Sequence, residues 1–133
     1  NGGYFEYKPM FVEKLPIPRV DSKRKKPLIA LANYILSTTL KELKFQAAVY
    51  EQIIDGIVYE LYFPTEIKAA GKDILFHMGE LPEVSADMAE EEKLSVIQRE
   101  FDRLYDPRHP VRNRIETLDS VDLVRTIREA LKR

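Results

Sequence analysis

The fold is decided by residues 40–62, which read LKELKFQAAVYEQIIDGIVYELY. Apolar side chains recur in this stretch at intervals of three and four, which is the period of an amphipathic α-helix. An apolar face this broad predicts one long helix that packs against neighbours on two sides. The main stripe consists of Phe45, Ala48, Val49, Ile53, Ile57 and Leu61, and it is widened by Ile54, Val58 and Tyr62.

A glycine stands in the middle of this predicted helix. Gly56 costs a helix interior about 1 kcal/mol relative to alanine. Two interpretations stay open: the glycine lets another backbone approach closely, or the helix merely tolerates it. Phe63-Pro64 ends the helix, because proline cannot continue its hydrogen-bonded ladder.

The sequence on both sides of this helix also has a helical pattern. Pro27 suits the first turn of a preceding helix that ends near Thr38, and Pro64 opens a following helix that ends at Gly79. Asp87 and Glu90 resemble a capping box for the next helix. A short helix is predicted over 111–118 and a last one over 120–131. The predicted buried faces are Leu28, Leu31, Ala32, Ile35 and Leu36 in the first helix, Ile67, Ala70, Ile74 and Leu75 in the third, Leu94, Ile97, Phe101 and Leu104 in the fourth, and Leu123, Val124, Ile127 and Leu131 in the last.

The N-terminal residues have a different pattern. Residues 4–14 are dense in aromatic and β-branched side chains, which favours strands, and Pro9 marks an edge, a bulge or a break between two of them. Residues 15–18, Leu-Pro-Ile-Pro, are expected to be extended. Two short strands are not stable alone, so we expect the rest of their sheet to lie upstream in a longer polypeptide, of which this chain is the end. The predicted fold is therefore mainly α, a multi-helix bundle over 27–133 with a short β segment and a basic linker over 1–26.

The net charge of −1 is a cancellation between segments of opposite sign. Residues 1–26 carry seven basic and three acidic residues, whereas residues 80–107 carry three basic and nine acidic residues. Such an asymmetry indicates either a polyanion partner at one end or ordinary variation in a solvated surface. The acidic cluster Glu90–Glu92 has a local explanation, because carboxylates in the first turn of a helix favour its positive end.

Composition excludes several classes of site. The chain has no cysteine, which excludes disulfides, thiolate metal sites and a cysteine nucleophile, and is consistent with a cytoplasmic location. No apolar run approaches the ~20 residues that span a bilayer, so no membrane association is expected. The glycines form no phosphate-binding loop, and neither His77 nor His109 has metal-ligand spacing.

One nuclease-like pattern is rejected on geometry. Magnesium nucleases place an aspartate before a glutamate and a lysine that are two residues apart on one strand face. Asp55 with Glu66 and Lys68 has this spacing, and so does Asp87 with Glu91 and Lys93. Both pairs lie in segments predicted to be helical, where a spacing of two points side chains in nearly opposite directions. We expect no catalytic residue and no metal ligand in this chain.

The remaining functional signal is the run Lys23, Arg24, Lys25 and Lys26. Four adjacent cations in a surface linker bind nucleic-acid phosphates by releasing counterions, without base specificity. The alternative is a linker that is charged only to stay in solvent. A weaker second patch consists of Arg108, Arg112 and Arg114. The aromatic residues Tyr4, Phe5 and Tyr7 either stack on bases or pack within the sheet.

Two stretches resemble a known family. Residues 5–18, FEYKPMFVEKLPIP, resemble the end of the TaqI-like C-terminal specificity domain, which occurs in fused type II (type IIG-like) restriction–modification proteins and their adenine-specific DNA methyltransferases. Residues 54–62, IDGIVYELY, are similar to the Val-Tyr-Glu-Leu-Tyr helix that commonly follows the recognition sheet in these proteins. Residues 103–127 are more loosely similar to the extreme C-terminus of some of them.

The resemblance implies a parent protein that recognises a short DNA sequence, methylates adenine and in some cases cleaves DNA. Its cofactor would be S-adenosylmethionine, with Mg²⁺ if it also acts as an endonuclease. The family's cofactor loop and Asn-Pro-Pro-aromatic motif are absent here, so this chain would hold no catalytic residue and no cofactor. It would contain the final strands of the target-recognition domain and a helical tail. Its partners would be DNA, whose phosphate backbone it would contact weakly, and the upstream domains of the same polypeptide. The alternative is a helical protein–protein interaction module that does not bind DNA.

Overall fold

A computed structural model describes residues 21–132 of the chain. Within that range the chain is mainly helical and contains no strand, so the prediction of a mainly α fold is confirmed for these residues. The predicted β segment lies outside the described residues. The helices are α1 (Ser22–Leu40), α2 (Lys44–Tyr62), α3 (Pro64–Ala69), α4 (Leu75–Met78), α5 (Glu90–Leu104), α6 (Pro110–Glu116) and α7 (Asp122–Leu131), with a 3-10 turn at Leu118–Ser120 between the last two.

Helices α1 and α2 form an antiparallel hairpin that organises the bundle. The turn between them places Glu42 in the left-handed region, with a φ of 58°. The amide of Leu43 donates to the carbonyl of Thr38 at 2.8 Å, which closes the end of α1. Helices α4, α5 and α6 pack on this hairpin around a larger hydrophobic cluster, while α3 and α7 contribute to a second, smaller cluster of Tyr59, Ile67, Leu118, Val121 and Val124.

Helix α1 begins earlier than the sequence pattern predicts. The predicted linker at Lys23–Lys26 is wrong, because these residues form the first turns of α1, and Pro27 lies inside the helix. Asp21 is the N-cap, and its carboxylate accepts a hydrogen bond from the amide of Arg24 at 2.9 Å. This cap stabilises a helix start well ahead of the proline. The helix therefore runs through the predicted domain boundary at 26/27.

The predicted third helix over 64–79 is two short helices. Gly71 has a φ of 70°, and the amide of Lys72 donates to the carbonyl of Ile67 at 3.0 Å, which terminates α3. The chain then runs without regular structure to α4. Ala70 is consequently exposed, contrary to prediction, whereas Ile67 and Ile74 are fully buried as predicted.

The buried face of α1 is rotated relative to the predicted one. Leu31 and Ile35 are buried as predicted, but Ala32 and Leu36 are exposed, and Tyr34 is fully buried instead. The reason is that the Tyr34 hydroxyl donates a hydrogen bond to the Pro82 carbonyl, so the ring turns into the core. An aromatic side chain with a polar end is buried where a pattern of aliphatic residues alone does not predict it.

Several further positions differ from the predicted core. Phe45 and Ala48 are exposed on α2, although Val49, Ile53 and Ile57 are buried as predicted. Phe45 lies in the first turn of α2, where its ring contacts Phe101 and Tyr105 edge-on and leaves its other side in solvent. Leu131 is half exposed at the end of α7, and Ala89 rather than Asp87 caps α5, without a side-chain bond.

The imidazole of His109 caps α6 and makes the stability of the chain depend on pH. Its Nδ1 accepts a hydrogen bond from the amide of Val111 at 3.1 Å, which requires that nitrogen to be unprotonated. Burial lowers the pKa of His109, electrostatic interactions with Arg103 and His77 lower it further, and Asp106 opposes them. A depressed pKa in the folded state means that the unfolded state binds more protons as the pH falls.

We expect the contribution of His109 to stability to be complete above its unfolded pKa of about 6.5, and to decrease as the pH falls through the lower folded value. Loss of this N-cap is expected to cost about 1 kcal/mol. Urea unfolding at pH 8 and pH 5 measures the difference. His109→Asn keeps an acceptor that does not titrate, so this variant should lose less stability over the same range. Equal losses in both proteins would contradict the prediction.

Candidate nucleic-acid interface

An open groove of about 1040 Å³ lies between the start of α1 and the end of α2. Helices α3 and α4 and the loop that follows α4 complete its walls. Three of the four predicted phosphate-binding residues line it, namely Lys23, Arg24 and Lys26, whereas Lys25 does not. The structure thus brings most of the predicted site to one concave surface.

The four cations are exposed, and most of them have no ion-pair partner in the described part of the chain. Only Arg24 pairs there, with its N-cap residue Asp21 at 3.6 Å. Cations in the first turn of a helix are placed unfavourably with respect to its dipole, by about 0.3–1 kcal/mol each at low ionic strength. Lys23 and Lys25 therefore do not stabilise α1 through its dipole, and Lys26 lies beyond the first turn.

A second basic contribution to the groove comes from α3. Lys68 also lines the groove, and its position in the sequence gives no reason to group it with Lys23 and Lys26. It is separated from them by more than 40 positions, so only the packing of α3 on α2 brings it to the groove. The acidic lining residues are Asp21, Glu60, Glu80 and Glu83. The carboxylate of Asp21 forms an ion pair with Arg24. Glu80 and Glu83 lie on the loop after α4.

Glu60 has an internal role that fixes one wall of the groove. Its side chain is buried, and its Oε1 accepts hydrogen bonds from the amides of Ile74 at 2.5 Å and Leu75 at 3.0 Å. These amides belong to the start of α4, where backbone donors have no helical partner. The glutamate of the Val-Tyr-Glu-Leu-Tyr stretch is therefore a non-local cap that holds α4 against α2.

Gly56 leaves space for the side chain of Ile74, whose amide Glu60 caps. A Cβ atom on Gly56 would lie 2.2 Å from Cδ1 of Ile74, a distance no pair of carbon atoms adopts without displacement. Neither interpretation of this glycine is confirmed as stated, because a side chain, that of Ile74, fills the space where another backbone was one of the two expectations. Gly56 and Glu60 lie one helical turn apart on α2 and together hold residues 74–78.

The second arginine patch is mostly engaged internally. Arg112 lies over the ring of Tyr105 at 4.0 Å and donates to the carbonyl of that residue at 2.9 Å. Arg114 donates to the carbonyl of Gly71 at 3.0 Å. Arg108 is highly exposed and pairs with Asp106 at 3.3 Å. Two of the three arginines thus hold the bundle together, and only Arg108 presents its charge outward.

The nuclease-like patterns lie on helices, as expected. Glu66 and Lys68 belong to α3, and Glu91 and Lys93 belong to α5. Over residues 21–132 no group of three histidine, cysteine or carboxylate side chains has a geometry that would hold a metal ion. In the same range no helix is both long and apolar enough to cross a membrane.

Comparison with known proteins returns no relative: no protein-family profile, curated protein or solved structure matches this chain.

Proposed function

We propose that this chain is a non-catalytic C-terminal part of a type II restriction–modification protein with adenine-specific DNA methyltransferase activity. In that role it supports DNA target recognition in the cytoplasm and docks the recognition domain onto the rest of the enzyme. S-adenosylmethionine, and Mg²⁺ where the parent cleaves DNA, would be bound by upstream domains. The observation that carries the proposal is the cationic start of α1, which lines the groove with Lys23, Arg24 and Lys26.

The electrostatics of α1 support this proposal. Apart from the N-cap Asp21, the first turn of α1 has no acidic residue, and four exposed cations follow the cap, whereas acidic residues in the first turn are what helix stability favours. A polyanion that lies along these residues reduces the unfavourable interaction, because its phosphates add negative charge beside the cations. The helical position of the run also fixes the cations in space, with Lys23 and Lys26 on one face.

The proposal predicts weak, salt-sensitive binding of duplex DNA without sequence preference. A gel shift with a labelled duplex should show retardation at about 50 mM salt that weakens strongly by about 200 mM, as counterion release requires. Reversing Lys23 and Lys26 to glutamate should weaken binding at least tenfold. The same reversal at Lys41 and Lys44, at the other end of the hairpin, is the matched control and should weaken it much less.

Folding of the reversed variant is not at risk, because glutamate in the first turns of α1 agrees with the helix dipole. Circular dichroism should therefore show unchanged helix content. The proposal fails if the natural chain is not retarded at low salt, or if retardation is the same after the reversal at Lys23 and Lys26.

A second function is favoured by the outer face of α1. Ile29, Leu36 and Leu40 recur at seven and four residues on this helix, and each is more than half exposed. Such a stripe suits a helix-packing partner. A protein–protein interaction module predicts that substituting these residues with serine abolishes partner binding, while the reversal at Lys23 and Lys26 leaves that binding intact.

A further inference from the structure

The most exposed apolar side chain of α4 lies at the groove. Phe76 is 87% exposed, and its only ring contact among the described residues is with its neighbour His77, at 5.3 Å between centroids. The other side chains of this short segment point inward, since Ile74 and Met78 are fully buried and Leu75 is half-buried. Phe76 is thus the outward member of a helix that is otherwise anchored in the core.

The helix that carries Phe76 is held at both ends. Glu60 accepts hydrogen bonds from the amides at its start, and the guanidinium of Arg103 donates to the Met78 carbonyl at its end, at 2.9 Å. Ile74 fills the space left by Gly56. The exposed ring is therefore presented from a fixed backbone, which reduces the ordering cost of a contact with a ligand.

The charges that line the groove indicate which charged groups a ligand needs in addition to an apolar face. Lys23 and Lys26 on α1 and Lys68 on α3 have no ion-pair partner in residues 21–132. Glu80 and Glu83 lie on the opposite loop and repel phosphates. A phosphate chain is consequently expected to follow the lysine walls, with its uncharged parts turned towards Phe76 and the glutamates.

We propose that the groove binds a nucleic-acid strand with an unpaired base, which stacks on Phe76 while the flanking phosphates contact Lys23, Lys26 and Lys68. A flat aromatic face beside cations in one groove is the combination that single-stranded nucleic acid binds. The carboxylates of Glu80 and Glu83 are acceptors for exocyclic amino groups of a base. This inference rests on the proposed DNA-binding function and specifies the form of DNA that the groove takes.

The test compares a single-stranded oligonucleotide with a duplex of the same length by fluorescence anisotropy. The natural chain should bind the single strand more tightly. Phe76→Leu keeps an apolar side chain but removes the stacking face, so it should weaken single-strand binding about tenfold and leave duplex binding nearly unchanged. Phe45→Leu is the matched control, because Phe45 is 63% exposed but lies about 22 Å from Glu60 along α2.

A second variant tests the contribution of α3. Lys68→Gln should weaken binding of both the single strand and the duplex. It should also reduce the slope of log affinity against log salt concentration by about 1. A 2-aminopurine base in the single strand should lose fluorescence on binding the natural chain, and should keep it with Phe76→Leu.

The outcomes separate this inference from the proposed function. If Phe76→Leu leaves single-strand binding unchanged while the Lys23 and Lys26 reversal abolishes it, stacking is overturned and phosphate binding stands. If neither nucleic acid binds at low salt, both fail. If Phe76→Leu instead changes the mass of the protein in light scattering, the ring belongs to a protein contact and the inference is overturned.

Discussion

Replacing Gly56 with leucine is expected to lower the free energy of unfolding by about 3 kcal/mol, the upper range for overpacked interiors. The first added atom would already lie 2.2 Å from Ile74 Cδ1, and the rest of the leucine side chain would displace Ile74, which is fully buried in the core. Urea unfolding followed by circular dichroism measures the change. A loss below about 0.5 kcal/mol would show that α4 moves away without cost.

Two further variants identify the cause of this loss. In Gly56→Ala the helix gains about 1 kcal/mol of propensity, which partly offsets the clash. Adding Ile74→Val removes the clashing Cδ1, so the double variant should be more stable than the sum of the single effects indicates. The control is Gly71→Ala: no atom lies within 4 Å of its added Cβ, and only the left-handed backbone opposes it. Ile74→Val should not rescue that variant.

Replacing Glu60 with alanine is expected to cost about 3 kcal/mol, because it leaves the buried amide of Ile74 and the half-buried amide of Leu75 without their acceptor. Glu60→Gln keeps an acceptor oxygen and should cost only about 1 kcal/mol, the difference between a charged and a neutral hydrogen bond. Thermal and urea unfolding give the two values.

The exposed loop carboxylate Glu83 provides the control for Glu60. Glu83→Ala should change the free energy of unfolding by less than about 0.5 kcal/mol, as surface substitutions usually do. Hydrogen exchange gives an independent readout, since the amides of residues 74 and 75 should lose protection in Glu60→Ala and retain most of it in Glu60→Gln. Unchanged protection in both variants would mean that Glu60 does not hold α4.

The sequence predicts the parts of the fold that depend on local periodicity. The end of α2 at Tyr62 and its buried Val49, Ile53 and Ile57 follow from apolar spacing and a proline stop. The apolar spacing predicts that α1 starts at Pro27, whereas it starts at Ser22. A local signal for the earlier start exists, since Asp21 is a favourable N-cap residue, but the basic run that follows it indicates a linker. The division between α3 and α4 was missed because buried Ile74 fits a helical pattern even where the backbone is not helical.

The candidate site was predictable only in part, for a physical reason. The basic run Lys23–Lys26 is visible in the sequence because its residues are adjacent. Lys68 and Phe76 come to the same groove only through packing between distant segments. From the sequence pattern, Glu60 is expected to be a solvent-exposed charge near the end of an amphipathic helix. Its function depends on amides 14 and 15 positions away, and no local pattern encodes that distance.

The division into two hydrophobic clusters bears on how the described part of the molecule opens. Helix α7 contributes Val124 as its only fully buried residue to the smaller cluster, whereas α1 and α2 share the larger one. Local opening follows such differences in buried apolar contact. The C-terminal helix therefore detaches at a lower free energy than the hairpin unfolds. Because Ile67 belongs to the smaller cluster, that detachment also loosens α3, and Lys68 with it, while the start of α1 keeps its place.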